Sequence, residues 1–258
     1  MKTYLKIVAI TFKEYFAYRL NFLLWRLRVF IGLLTIFFLW QAAFENTKTI
    51  AHYQPQVLFS YIFYANFLAN FILGTRTVDI AGEINSGEII NYLLKPFSFF
   101  RYYFSRDMAD KLLNLFFSFF EILLLIAFFK IPLIAPQQPL LGILFLINGL
   151  LLSFFINLII SFIGFWSREV WGPRFLFSIM VFFVSGSYFP IDILSKPLYY
   201  LLLATPFPYL FYLPTKIFLG ERFPFLLLFF ALGWTIVFYY LAKKIWQAGI
   251  KNFAFWSR

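Results

Sequence analysis

The sequence has 258 residues, 62% of them hydrophobic and 13% charged, against about half and about a quarter in an ordinary soluble domain. A soluble globule cannot hide that much apolar surface, and a helix crossing lipid needs roughly 20 mostly apolar residues, so the chain has room for about six spans and no large soluble domain. The formal charge of +11 reads as Lys and Arg that set topology, not as a nucleic-acid surface. The absence of Cys excludes disulfides and thiolate chemistry, and a single His, His52, argues against an imidazole metal centre.

The chain is expected to form one all-α membrane domain over residues 1–258. Residues 1–22 have no clean apolar core followed by a small-residue cleavage site, so they do not read as a removable signal peptide. Lys2, Lys6 and Lys13 recur at helical spacing beside an apolar arc of Leu5, Val8, Phe12 and Phe16. That pattern predicts an interfacial helix on the cytoplasmic leaflet, or else a merely basic, topology-setting start.

Apolar runs at residues 27–44, 57–73, 112–129, 140–166, 175–189 and 223–242 predict six transmembrane helices. An even number puts both termini on one side. Of the 22 Lys and Arg, only Lys48, Lys130, Lys196, Lys216 and Arg222 fall on the other side, so the positive-inside rule makes both termini of this multi-pass protein cytoplasmic, in an inner or plasma membrane. Arg26 and Arg28, where the first span begins, read as anchors that snorkel to anionic headgroups, with contact to an acidic substrate as the alternative.

The cytoplasmic loop at 76–111 carries five basic and five acidic residues, so it is more than a topogenic signal. Asn85 is placed to cap a helix whose third residue is Glu88, with Gly87 giving a tight start and Pro96 a limit. The expected helix covers residues 86–94, with Ile89, Ile90, Leu93 and Leu94 as its apolar residues. Such a helix suits docking into a partner's groove, or packing on its own bundle.

Within the spans, Glu121 lies about 13 Å along the third helix, near the bilayer midplane. It reads either as a residue of the substrate path or as a carboxyl hydrogen-bonded to Asn, Ser or Tyr on a neighbouring helix. Asn66 and Asn70 share a face of the second span, Asn114 and Ser118 a face of the third, and Asn148, Ser153 and Asn157 fall in the fourth. They suit interhelical hydrogen bonds, with Asn66, Asn70 and Asn114 also candidates for the path. The segment 190–224 holds six of the twelve prolines and only short apolar stretches, which predicts external re-entrant or interfacial helices before the last span.

Glu83, Gly87, Glu88, Leu93, Leu94 and Pro96 form a pattern that resembles the cytoplasmic segment after the second span of type-2 ABC exporter permeases, in a compact subgroup with a DIAGEI-type loop. The basic amphipathic start, six spans and the proline-rich external stretch extend the resemblance over nearly the whole chain. It implies a permease subunit that pairs with a second, identical or homologous permease. Those six loop residues would then meet a separate ABC ATPase dimer. No G-x-x-x-x-G-K-[ST] loop occurs in the sequence, so the chain is not expected to be an enzyme; ATP and Mg would be bound by the partner. An ion-coupled secondary transporter is the alternative, though it usually shows charged relays and paired repeats.

Overall fold

The computed structural model describes residues 2–96, 98–130 and 133–256, with side chains between 4 and 253, so Lys2 lies outside the described side chains. The helices, in chain order, are α1 (Lys2–Ala17), α2 (Arg19–Phe44), α3 (Pro55–Leu73), α4 (Val78–Asn85), α5 (Ile89–Leu93), α6 (Phe99–Phe129), α7 (Pro139–Phe162), α8 (Trp171–Val184), α9 (Lys196–Leu203), α10 (Tyr212–Phe218) and α11 (Leu226–Trp256). The chain is an all-α membrane protein. Among the described residues five helices are long and apolar enough to cross a membrane: α2, α3 with its continuation α4, α6, α7 and α11. The end carrying α1, α4, α5 and the last turns of α11 is called the terminal face below.

The sixth apolar helix, α8, differs from the expected 175–189 span. It has 14 residues, about 21 Å at 1.5 Å per residue, against roughly 30 Å of hydrocarbon. Its stop is a long-range contact: Gly186 turns with φ +79°, and the Tyr61 hydroxyl of α3 donates to its carbonyl at 2.5 Å. A Cβ at Gly186 would come within 2.6 Å of that hydroxyl, so the turn needs glycine both for its backbone and for its space.

The segment after α8 fills the missing thickness. It descends to residues 209–210, whose carbonyls face Gly149 of α7, ten residues and so about 15 Å from the start of that helix. It then returns through α10, where Phe218 covers Gly142. Tyr212 N–H donates to the Ser185 carbonyl at 3.1 Å, and residues 210–213 are almost wholly buried. Irregular backbone at this depth is tolerated because protein encloses it.

Three apolar clusters stack along the bundle. Tyr61, Ile62, Phe145, Tyr212 and Leu213 fill the far end, Ile72, Leu152, Ile156 and Phe211 the middle, and Ile80, Phe99, Phe162 and Ala242 the terminal end. At the far face Lys216, fully buried, pairs with Asp192 at 2.9 Å and with Glu221, and donates to the Tyr53 hydroxyl at 2.5 Å. Burial first, and then its hydrogen bond to Asp192, hold the Tyr53 phenol well above its usual range, so it stays protonated as a donor to that carboxylate. These contacts tie α10 and the α8–α9 connection to the turn between α2 and α3.

At the terminal face α1 lies against α6. Its inner side carries Ile7, Val8, Thr11, Glu14 and Tyr15, while Leu5 and Phe16 stay exposed, free to meet lipid.

Candidate functional site

The loop between α3 and α6 is two short helices bent at Gly87, whose φ is +79°. No atom lies within 4 Å of a Cβ built there, so the requirement for glycine is purely conformational. The helix expected over 86–94 is thus shortened: residues 86–88 form the turn after α4, leaving the five-residue α5, ended before Lys95 and Pro96, where a following proline disfavours helix. Asn85 does not cap α5. It is the last residue of α4, and its side chain donates to the Arg168 carbonyl at 3.0 Å, fastening the loop to the α7–α8 connection.

The six loop residues separate into an inward and an outward set. Glu83 faces the bundle, accepting from Tyr92 at 3.1 Å and from Tyr103, with Arg106 at 3.9 Å. Arg106 of α6 also reaches Glu14 at 3.0 Å and Asp79 at 3.3 Å, and Arg76 bridges the same two acids at 3.9 and 3.8 Å. One charged network therefore joins α1, α4 and α6 under the loop. Glu88, Leu93, Leu94 and Pro96 point outward with Ile90; Leu94 is 80% exposed, and Glu88 has no ion pair among the described residues. Leu93 borders a groove with Trp246 and Ile250 of α11.

Beneath this loop, Lys111 is buried and donates to the carbonyls of Ile72 and Gly74 at 2.7 and 2.6 Å while pairing with Asp107 at 3.1 Å. A cation on the last free carbonyls of α3 is favourable on both hydrogen-bonding and dipole grounds.

Glu121 meets neither Asn, Ser nor Tyr. Its partner is Arg26 of α2: Nε donates to Oε1 at 2.8 Å, and Nη2 lies 2.5 Å from Oε2. The same guanidinium donates to Asn114 at 3.0 Å and Ser118 at 3.1 Å. Arg26 is only 5% exposed, so the reading of it as a headgroup anchor is corrected. Three polar residues on one face of α6 enclose it, one helical turn apart, because i, i+4 and i+7 line up. Asn66 is also inward, donating to the carbonyls of Ile62 and Ser187.

Of the four candidates for a path, only Asn70 lines the main cavity. This space of ≈ 670 Å³ lies between α1–α2 on one side and α3, α7 and α8 on the other, and reaches from Glu14 and Arg76 up to Leu210. Its volume falls in the range of about 300–1,000 Å³ that holds small ligands. Arg28 and Arg174 are also on its wall.

Sequence reasoning missed Tyr103, Arg106 and Lys111 as scaffold residues. For the two cations the signal is the set of charges spaced four apart in residues 106–111, on a helix that continues into the third span; Tyr103 has no such signal. Sequence reasoning also missed Arg174, a lone cation just after Pro173.

A family model described as ABC-2 family transporter protein matches residues 30–256. No curated protein matches the chain.

Proposed function

Because the chain belongs to the ABC-2 family of transporter proteins, and is a membrane permease of that family, we propose that it is the membrane-spanning half of an ATP-driven exporter. It works beside a second permease and takes its driving force from a separate ATPase dimer, which binds ATP and Mg. Both termini and the α4–α5 loop lie on the cytoplasmic side of an inner or plasma membrane, a placement supported by the Lys and Arg distribution. Outward transport rests on the resemblance to type-2 exporters.

The observation that carries the coupling reading is the outward face of α5. Ile90, Leu93 and Leu94 stand exposed beside an unpaired Glu88, on a loop that the Glu83–Tyr103–Arg106 contacts hold to the bundle. Burying each such side chain against a partner is worth about 1.5–3 kcal/mol. Gly87, Glu88, Leu93, Leu94 and Pro96 form the docking face, and Glu83 positions it from within.

The carboxylate on which an ion-coupled mechanism would lean, Glu121, is bound by Arg26, which disfavours that alternative. The test is mild-detergent co-purification from the native host, with mass spectrometry of the partners and an ATPase assay. A stoichiometric ABC ATPase that is lost when the 83–96 loop is altered supports the proposal; a folded preparation without one refutes it.

A further inference from the structure

The cavity between α2 and α8 has an unbalanced charge. Arg174 of α8 donates to Asn157 at 3.1 Å and to Ser161 at 2.5 Å, both neutral, and has no carboxylate within ion-pair distance among the described residues. A guanidinium carries five N–H donors, so three remain for another acceptor. Asp79 bears on Arg174 electrostatically, but it is already bound by Arg76 and Arg106. Arg28 of α2 lines the same space and likewise has no ion pair among the described residues. Of the acids on the wall, Glu14 is paired with Arg76 and Arg106, while Asp110, 6% exposed, accepts from the neutral Asn114 amide and offsets only one of the two cations.

The rest of the lining is largely apolar and aromatic, with Tyr18, Phe22, Trp25, Phe177 and Phe182 around the cations. Charged side chains at helical depth in a membrane are costly unless paired, and they mark pathways. Two guanidiniums without ion pairs among the described residues, in a cavity that also presents rings, aliphatic side chains and neutral polar groups such as Asn70 and Asn157, match an anionic head on an apolar body. Planar guanidiniums take phosphate or carboxylate oxygens in pairs.

Resting on the reading of the chain as a permease, we propose that this cavity is the substrate site and that its substrate is an anionic amphiphile. Arg174 and Arg28 hold the phosphate-like or carboxylate-like head, and the aromatic wall holds the tail.

The test uses the full chain in uncharged maltoside micelles, reading quenching of Trp25 by brominated dodecyl phosphate and by a brominated dodecyl trimethylammonium of equal length. The phosphate probe is expected to bind about tenfold or more tightly than the cationic one, and Arg174→Gln or Arg28→Gln to remove about that factor, the usual weight of a hydrogen bond to a charged group. Arg174→Lys should retain part of the preference, and exposed Arg28 provides a variant that leaves the Asn157 and Ser161 contacts intact. Equal affinity for the two heads, or a phosphate affinity untouched in both Gln variants, overturns the proposal. Inorganic phosphate that competes as well as the amphiphile also overturns it, in favour of a free-anion site. ATPase co-purification is scored separately on the same variants. In the unmodified chain, equal affinity for the two heads with the ATPase bound sinks the substrate class alone, whereas selectivity without any ATPase sinks the coupling reading alone.

Discussion

Replacing Glu121 with Leu tests whether the membrane-depth ion pair is a structural clamp. Arg26 would lose the contacts at 2.8 and 2.5 Å and its counter-charge, while keeping Asn114 and Ser118. Breaking one side of a buried pair costs about 3–5 kcal/mol. The two surviving acceptors place the expected loss near the lower end, about 3 kcal/mol. Arg26→Leu alone leaves Glu121 unpaired and should cost a similar amount. The double replacement removes both charges and should recover most of the loss, giving a coupling energy of about 2 kcal/mol or more in the cycle. Reversible unfolding in mixed micelles, followed by tryptophan fluorescence, measures all four corners. Strictly additive single effects would refute the clamp. An intact clamp with ATP-driven transport abolished in a stable double variant would instead restore Glu121 to the pathway.

Leu94→Asp should leave the bundle folded but remove about 1.5–3 kcal/mol of partner burial, read as a tenfold or greater loss of ATPase in co-purification. Glu88→Lys should act in the same direction. Gly87→Val has open space but the wrong backbone preference, so it should misplace α5 and uncouple ATPase stimulation while membrane insertion is retained. Lys216→Met takes the buried cation from Asp192, which is 18% exposed and keeps the Tyr53 hydroxyl, and should lower the unfolding temperature at a cost below the about 3 kcal/mol of a fully buried pair, yet leave ATPase binding unchanged. Glu14→Gln removes the charge that joins α1 to Arg76 and Arg106; a bound ATPase that no longer responds to substrate is the expected result in a stimulation assay.

The sequence makes legible what depends on local pattern. Runs of about 20 apolar residues mark α2, α3, α6, α7 and α11, and clustered prolines mark the segment that cannot span. What it hides are decisions made at long range. The early end of α8 depends on Tyr61, 125 positions away. Arg26 and Glu121 are 95 positions apart, and each alone looks like an anchor or a pathway residue. Asn85 was ambiguous for a physical reason: asparagine suits both the start of a helix and the turn that ends one, and only the register of α4 decides between them. The outward set at the loop is visible from polarity, but the inward role of Glu83 needed Tyr103, Tyr92 and Arg106 in place.

The contacts also constrain how force can pass from the loop to the cavity. Carboxylates at depth are engaged within the chain: Glu121 by Arg26, Asp107 by Lys111 and Asp110 by Asn114. A proton or ion cycle needs a carboxylate that changes partners, and each of these would first have to break a buried contact. A push on α5 meets no such barrier. Through Glu83 it reaches Arg106, and through Arg106 it reaches Glu14 on α1 and Asp79 on α4. Glu14 and Arg76 are themselves part of the cavity wall, so displacement of the loop shifts one side of the site relative to Arg174 on α8. On the proposed reading, the ATPase stroke therefore bears on the Glu14–Arg76 wall of the cavity, and through it on the affinity for an anionic head. Measuring dodecyl phosphate binding with the ATPase trapped by a non-hydrolysable nucleotide tests this link: a shift in affinity that Glu14→Gln abolishes supports it, and an affinity indifferent to nucleotide refutes it.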